Sequence, residues 1–119
     1  MRVLALRIFQ TTLSFLLLGS LALSEPRTLT NDEIAGLLPK IIAIGDDTRQ
    51  TFSAAGATTY QVGGRETYGT WRVDGDKYCS QWPPVRSWTC YLVVTDPTEQ
   101  TLIWIDGQGH RTANKMIQK

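Results

Sequence analysis

The architecture of this chain follows from one segment, Gly69-Thr-Trp-Arg-Val-Asp-Gly-Asp-Lys-Tyr-Cys-Ser-Gln-Trp-Pro-Pro-Val-Arg-Ser-Trp-Thr-Cys-Tyr91. It contains both cysteines, three of the four tryptophans and two turn signals. Asp74-Gly75 is typical of a two-residue hairpin turn, and it lies between runs rich in Trp, Val and Tyr, which favour strands. Pro83-Pro84 marks a second turn between the cysteines. The segment therefore predicts three antiparallel strands, the second and third joined by a disulfide.

The disulfide prediction depends on hairpin geometry. A tip at Pro84-Val85 places Cys79 directly opposite Cys90. Directly opposed residues in a non-hydrogen-bonded antiparallel pair have Cα atoms about 4.5 Å apart, which a disulfide tolerates. A metal site would need closer cysteines and further ligands, whereas the chain has one histidine. In the chain-entropy model, a bridge around a loop of about a dozen residues stabilises a domain by roughly 3 kcal/mol.

The register of the first hairpin has two alternatives. A two-residue turn at Asp74-Gly75 places Trp71 opposite Tyr78, and we favour it because such turns match the twist of the strands. A three-residue turn that includes Asp76 would instead place Trp71 opposite Cys79 and would turn Tyr78 outward. With the two-residue turn, one face of these strands is core, and its members are Trp71, Val73, Tyr78, Trp82, Tyr91 and Val93.

The N-terminal region is typical of an export signal. Two arginines precede an apolar run, and the small residues Ala22 and Ser24 suit cleavage before Glu25. Polar residues interrupt the apolar run, so it is short for a stable span of about 20 residues, although a retained signal anchor is the alternative. We predict a signal peptide over residues 1–24 and a single β domain over residues 25–119. The domain is then periplasmic or secreted, with no stable membrane span after cleavage.

The charge of the domain argues against two classes of partner. Removal of residues 1–24 leaves ten basic and eleven acidic side chains, a net charge of −1. Nucleic acids and anionic membranes are bound by basic stripes, which this composition lacks. A domain of this size buries about 60–65% of its unfolded surface, so a disulfide formed in an oxidising compartment suits it.

A short helix is predicted near the start of the mature domain. Thr30-Asn31-Asp32-Glu33 is a capping-box pattern, in which the threonine hydroxyl and the glutamate carboxylate each accept a hydrogen bond from the other residue's amide. Ile34, Leu37 and Leu38 then form one apolar face, and Pro39 ends the run. We interpret this helix as a plug for an open end of a sheet structure, rather than as a recognition helix.

The rest of the chain alternates short strand-like runs with turn residues. The runs Leu92-Val93-Val94 and Leu102-Ile103-Trp104-Ile105 are apolar at successive positions, so both faces of these strands are expected to be covered. A meander of seven or eight strands generally closes, because closure hides unpaired edges. The predicted fold is mainly β, an antiparallel meander that forms a small barrel or curled sheet with one short N-terminal helix. Strands are expected near 49–54, 57–62, 67–73, 77–82, 88–95, 101–105 and 110–117.

Four motifs carry a resemblance to known proteins. They are Leu29-Thr-Asn-Asp-Glu-Ile34, Gly69-x-Trp-Arg-Val73, Gly75-Asp76-x-x-Cys79-x-x-Trp82 and Cys90-Tyr91. In this pattern the chain resembles a group of small exported bacterial proteins, mainly proteobacterial, of unassigned function. The resemblance implies a compact β fold.

A second and weaker similarity concerns the membrane-bound and periplasmic lysozyme inhibitors, which are small exported barrels with a Ser-Gly-x-Gly-Ala-basic-Tyr loop. Ser53-Ala-Ala-Gly-Ala-Thr-Thr-Tyr60 keeps the serine, one glycine, the alanine and a tyrosine displaced by one, and has no basic residue. This similarity implies inhibition of a secreted hydrolase such as lysozyme as an alternative function.

The sequence shows no catalytic constellation. His110, the single histidine, lies in a polar turn and is expected to face solvent. Asp46-Asp47 and Asp74-x-Asp76 supply fewer oxygens than Ca²⁺ requires and are typical of turns. We therefore predict no catalytic residue, no metal site and no cofactor. A third hypothesis is that the protein is a hydrolase that uses acids such as Asp76 and Asp106.

The best candidate site is the tip from Pro83 to Trp88. Arg86 and Trp88 lie there on a disulfide-braced loop, and both residue types are enriched among binding hot spots. The alternative is that Trp88 packs beside the disulfide, and in so small a domain the tryptophans are more simply core than cavity lining. We predict a non-enzymatic binding domain of the cell envelope, whose partner is a protein or a small ligand.

Overall fold

The computed structural model describes residues 25–119, and the predicted signal peptide lies outside them. No helix among the described residues is long and apolar enough to cross a membrane. The elements in chain order are β1 Arg27–Thr28, α1 Asn31–Leu37, a 3₁₀ turn Leu38–Lys40, β2 Ile41–Ile44, β3 Thr48–Phe52, β4 Ala57–Val62, β5 Arg65–Asp74, β6 Lys77–Gln81, β7 Thr89–Asp96, β8 Thr101–Ile105 and β9 Arg111–Gln118.

Strands β2 to β9 form a closed antiparallel barrel. Each strand pairs with the next one along the chain, and β9 pairs back onto β2 with Met116 opposite Ala43. The short strand β1 lies beside β7, with Thr28 opposite Val94. Closure leaves no barrel strand with a free edge, which confirms the predicted fold class.

The sequence predicted seven of the eight barrel strands, with bounds within two residues of those observed. The omitted strand is β2, where four apolar residues follow the helix directly. Ile41, Ile42 and Ala43 are all buried, and the run follows the helical segment so closely that no turn signal marks it as a separate element. Without β2, the partner that closes the barrel against β9 was missing from the prediction.

The helix α1 closes one end of the barrel, as predicted. Its capping box is present: the Glu33 amide donates to Thr30 Oγ1 at 3.4 Å, and the Thr30 amide donates to Glu33 Oε1 at 3.2 Å. Ile34 and Leu38 are fully buried in the core that the barrel strands form. The α-helix gives way to the 3₁₀ turn beside Pro39, which leads the chain into β2.

The first hairpin turns one residue later than predicted. Gly75 and Asp76 both have φ of 58°, as a type I′ turn requires, and Asp74 pairs with Lys77. Trp71 therefore lies opposite Ser80, so both predicted registers are wrong. The favoured register differs from the observed one by two residues, which preserves the alternation of faces, so the predicted inward face is correct.

The later turn is stabilised by the helix. The amide of Asn31 donates to Asp76 Oδ1 at 2.8 Å, and the amide of Asp76 donates to Asn31 Oδ1 at 2.8 Å. This reciprocal pair fixes the start of α1 to the β5–β6 turn. It also supports the left-handed backbone of Asp76, a conformation that aspartate tolerates better than most residues.

Aromatic side chains fill the half of the barrel next to the helix. Phe52 is fully buried, and its ring centroid lies 5.9 Å from that of Trp71, 5.7 Å from that of Tyr78 and 6.0 Å from that of Trp104. Such edge and tilted contacts add about 0.5–1.5 kcal/mol each beyond the burial of area. This cluster is the centre of the hydrophobic core.

The cysteines form the predicted bridge. Cys79 lies directly opposite Cys90, the Cα atoms are 4.0 Å apart, and Cys79 is fully buried. We expect neither cysteine of native protein isolated without reductant to react with a thiol reagent, because each sulfur is bonded to the other. Mass spectrometry should show two adducts after denaturation with reductant and none after denaturation alone. A single labelled cysteine in unreduced protein would contradict the bridge.

Candidate functional site

The end of the barrel opposite the helix is open and leads into a cavity of about 1440 Å³. Ordinary ligand pockets measure about 300–1,000 Å³, so there is room for a sizeable small molecule. The mouth is bordered by the β2–β3 turn at Gly45–Asp47, by the start of β5, and by Trp82 and Pro83 after β6.

The cavity exists because the inward-facing positions change in size along the barrel. Residues paired across neighbouring strands share a face, so the register identifies the inward set. Next to the helix this set contains the large side chains Ile41, Phe52, Trp71, Val93 and Leu102, which are buried. Towards the open end it contains small residues, which leave the space unfilled: Ala43, Gly45, Thr48, Thr67, Gly69, Ser80 and Thr112.

A hydrogen-bond network forms the floor of the cavity. Gln50 Nε2 donates to Thr58 Oγ1 at 3.0 Å and to the Tyr78 hydroxyl oxygen at 3.1 Å. The Thr58 hydroxyl in turn donates to the Thr51 carbonyl at 2.9 Å. Burial raises the pKa of Tyr78 to about 12, although its hydrogen bonds with Ser80, Gln50 and Thr58 act in the opposite direction. The phenol is therefore neutral at physiological pH.

Two amide groups present unused hydrogen-bonding atoms at the cavity. Trp104 Nε1 donates to Asn114 Oδ1 at 2.8 Å, which fixes the orientation of that amide. Both residues line the cavity together with Gln50. Within residues 25–119 no group donates to Gln50 Oε1 or accepts from Asn114 Nδ2. The cavity thus offers one free amide acceptor and one free amide donor.

Trp82 lies at the mouth, and its indole is fixed from three directions. Its Nε1 donates to Ser80 Oγ at 3.1 Å, and its ring centroid is 6.1 Å from that of Tyr60 at an interplanar angle of 67°. On the third side it lies against Gly69: a Cβ atom there would be 2.8 Å from Trp82 Cε3 and 2.7 Å from the Gln81 carbonyl oxygen. Glycine at position 69 is therefore required for this placement of the indole.

The charged side chains that border the cavity lie at its rim. Asp46, Asp47, Glu99 and Lys115 are all exposed. The ammonium group of Lys115 donates to the backbone carbonyl of Glu99 at 3.0 Å. The described interior of the cavity is therefore uncharged, and its rim carries more acidic than basic groups.

The acids and the histidine considered in the sequence do not form one site. His110 is exposed in the β8–β9 turn, with Nδ1 3.2 Å from Asp106 Oδ2. Backbone amides, first that of His110 and also that of Gln108, donate to Asp106 and lower the pKa of its carboxyl group. Asp76 bonds to Asn31 at the helix end. Among residues 25–119 no group of three or more His, Cys, Asp or Glu residues is placed to hold a metal.

Pro83 borders the mouth of the cavity, whereas the rest of the predicted tip, from Pro84 to Trp88, does not line it. The Arg72 guanidinium lies 4.1 Å from the centroid of the Trp88 ring, a cation–π contact, and Trp88 is half-buried. Arg72 pairs with Cys79, so this contact is close to the disulfide. Arg86 is exposed, and its backbone carbonyl accepts a hydrogen bond from Gln81 Nε2.

The segment that resembles the inhibitor loop is a compact hairpin turn at the helix end. Ser53 Oγ accepts from the Ala57 amide at 2.9 Å, and the Ser53 carbonyl accepts from the Gly56 amide at 3.1 Å. Trp71 Nε1 donates to the same carbonyl at 2.9 Å. Tyr60, at the other end of the segment, lies in β4 and lines the cavity.

Sequence reasoning identified Trp82 as inward-facing but missed its neighbours in the cavity, among them Gln50, Ser80 and Asn114. Each is a polar residue at an inward position of a predicted strand. The available signal was the alternation itself, because an inward polar residue without an evident partner marks a place where the core is not packed.

The contact of Trp88 with Arg72 predicts an intermediate stability effect at the tip. We expect Trp88→Ala to lower the free energy of unfolding by about 1–2 kcal/mol, since it removes a cation–π contact and a half-buried ring. Arg86→Ala should change it by less than about 0.5 kcal/mol and is the matched control. Urea unfolding measures both. A loss of about 3–5 kcal/mol for Trp88→Ala would instead identify a core residue.

The raised pKa of Tyr78, about 12 against an ordinary 10.0, predicts a loss of stability at high pH. The unfolded chain loses this phenolic proton near pH 10, whereas the folded one keeps it. The free energy of unfolding should therefore fall between pH 10 and 12, by about 1.4 kcal/mol per pH unit from this group. Tyr78→Phe should remove that slope in urea titrations.

Tyr68→Phe is the control, because Tyr68 is 66% exposed. Its hydrogen bond to Glu66 raises the pKa of that phenol, but Tyr68→Phe should leave most of the slope in place. An unchanged slope in Tyr78→Phe would contradict the assignment.

Comparisons of the chain with protein-family models, with curated proteins and with solved structures find no match. The function is therefore argued from the geometry of the cavity.

Proposed function

We propose that residues 25–119 form an exported, non-enzymatic binding domain that holds a small ligand in the open half of the barrel. The observation that carries this proposal is the cavity of about 1440 Å³, which combines aromatic rings with a few fixed polar groups. Pockets with these properties are the usual sites of small-ligand binding. The disulfide and the signal-peptide pattern support an oxidising, extracytoplasmic location.

The arrangement of the cavity favours binding over catalysis. The groups at its floor are neutral hydroxyls and amides that hydrogen-bond one another, and the charged groups lie at the rim. General acid–base chemistry needs a titratable group poised near the working pH and within reach of the substrate. Tyr78, with a pKa of about 12, is a poor base at neutral pH.

Inhibition of a secreted hydrolase remains the alternative prediction. An inhibitor that uses the segment from Ser53 to Tyr60 would have to present Ala54 and Ala55, which are exposed at the turn, because Tyr60 faces the cavity. Two alanines supply little contact area and no charge for an enzyme cleft. The cavity is therefore the better supported site.

A variant that fills the cavity tests the proposal. Thr112 is inward-facing and lines the cavity, so Thr112→Trp places an indole in the mouth. The preceding residue Arg111 is exposed and alternates to the outer face, so Arg111→Trp is the matched control. We expect the wild type and Arg111→Trp to retain the same small molecule in native mass spectrometry after gentle isolation from the periplasm, and Thr112→Trp to lose it.

A thermal-shift screen with a fragment library provides the second measurement. Fragments that raise the unfolding temperature of the wild type should not raise that of Thr112→Trp. If no molecule co-purifies and no fragment distinguishes the two variants, the cavity is not a binding site. Inhibition of a lysozyme by micromolar Thr112→Trp protein would favour the alternative function instead.

A further inference from the structure

We infer that the ligand is an uncharged sugar, of which one ring stacks on Trp82 while the free amide atoms of Gln50 and Asn114 bind its hydroxyl or amide groups. This inference rests on the proposed function, because it names the chemical class that the same cavity takes. It follows from the way the indole is presented, from the polar atoms left unused, and from the side chains that the cavity lacks.

The indole of Trp82 is a fixed platform. Its edge is tied to Ser80 at 3.1 Å, and one part of it lies against the Gly69 backbone, where even a methyl group would clash at 2.8 Å. A ring fixed in this way loses little side-chain entropy when a ligand covers it. The C–H face of a sugar ring is apolar, and it suits the electron-rich face of an aromatic ring. A tryptophan that merely completed the core would not border an open cavity, as Trp82 does.

The unused hydrogen-bonding atoms fit hydroxyl groups. A hydroxyl both donates and accepts, so it satisfies the acceptor Gln50 Oε1 as well as the donor Asn114 Nδ2. Hydrogen bonds already orient both amides. Gln50 Nε2 donates to the Tyr78 hydroxyl oxygen, and Asn114 Oδ1 accepts from Trp104 Nε1. Amides oriented before binding favour ligands with many hydroxyl groups over ligands with none.

The lining argues against two other classes of ligand. An acyl chain is bound by large aliphatic side chains. Among the described residues that border the cavity, Ile44 is the single aliphatic residue larger than proline. Its side chain alternates to the outer face of the barrel, so it does not line the interior. An anionic ligand would need a cluster of basic groups, and among the described residues that line the cavity Lys115 is the single basic one. An uncharged ring with hydroxyl groups meets neither obstacle.

Titration with defined saccharides tests this inference. The probes are uncharged mono-, di- and trisaccharides of glucose and of N-acetylglucosamine, with glucuronic acid and dodecyl maltoside as comparisons. We expect one uncharged series to bind the wild type in saturation-transfer NMR and calorimetry, and Trp82→Ala to weaken that binding by about tenfold or more. Trp82→Phe keeps a ring and should recover part of the affinity.

Trp88→Ala is the matched control, because it removes a half-buried indole from the same connection between β6 and β7 but on the outer surface. Its saccharide affinity should equal that of the wild type. Equal weakening in Trp82→Ala and Trp88→Ala would overturn the platform role of Trp82. Circular dichroism and the intact disulfide establish that each variant is folded.

The outcomes separate this inference from the proposed function. If fragments or dodecyl maltoside bind in a manner sensitive to Thr112→Trp while no free saccharide does, the cavity is a binding site and the sugar assignment is wrong. Tighter binding of glucuronic acid than of glucose would also overturn it. If no probe of any class binds and Thr112→Trp behaves as the wild type, both proposals fail.

Discussion

The closure of β9 onto β2 is the constraint on which the rest of the structure depends. With Met116 opposite Ala43 and the other pairs in register, every barrel strand has a partner on both sides, and every second residue must point into one enclosed space. An enclosed space of fixed size can be filled or left empty. The chain fills the half next to the helix with aromatic and branched side chains, whereas the other half has many small and polar ones beside Tyr60 and Trp82. The size of the side chains at the inward-facing positions therefore determines which part of the interior is core and which part is cavity.

The unfilled half of the barrel contributes less packing energy than a complete core would, and interactions at both ends of the barrel offset that loss. Strands β6 and β7 pair over three residues, 78–80 with 89–91, and this short ladder lies next to the cavity mouth. The disulfide joins the middle pair of that ladder, Cys79 and Cys90. At the other end, the reciprocal hydrogen bonds between Asn31 and Asp76 fix the helix onto the β5–β6 turn. The disulfide and these hydrogen bonds therefore supplement a hydrophobic core that occupies part of the barrel interior.

The sequence predicted most of the fold because strand faces depend on parity rather than on exact pairing. The β5–β6 turn is displaced by one residue from the predicted position, yet Trp71, Val73 and Tyr78 still face inward, since the favoured register and the true one differ by two. The strand Ile41–Ile44 was omitted because it is short and follows the helical segment with no turn signal of its own between them. Local pattern therefore identified faces and turns, whereas the partner that closes the barrel is a long-range property that no local pattern expresses.

The cavity escaped prediction for a related reason. Whether Trp82 is core or lining depends on the volume enclosed by eight strands and on how far Phe52 and Trp104 fill it, and neither quantity follows from spacing along the chain. Gly69 is a local sequence signal of this arrangement, because it lies in the interior of a ten-residue strand, where glycine is unfavourable. The indole of Trp82 explains why glycine is needed there, because a Cβ atom at position 69 would lie 2.8 Å from the ring. Gly69 thus accommodates the indole of Trp82, which follows thirteen residues later across the β5–β6 hairpin, and in this barrel that indole borders the cavity instead of the core.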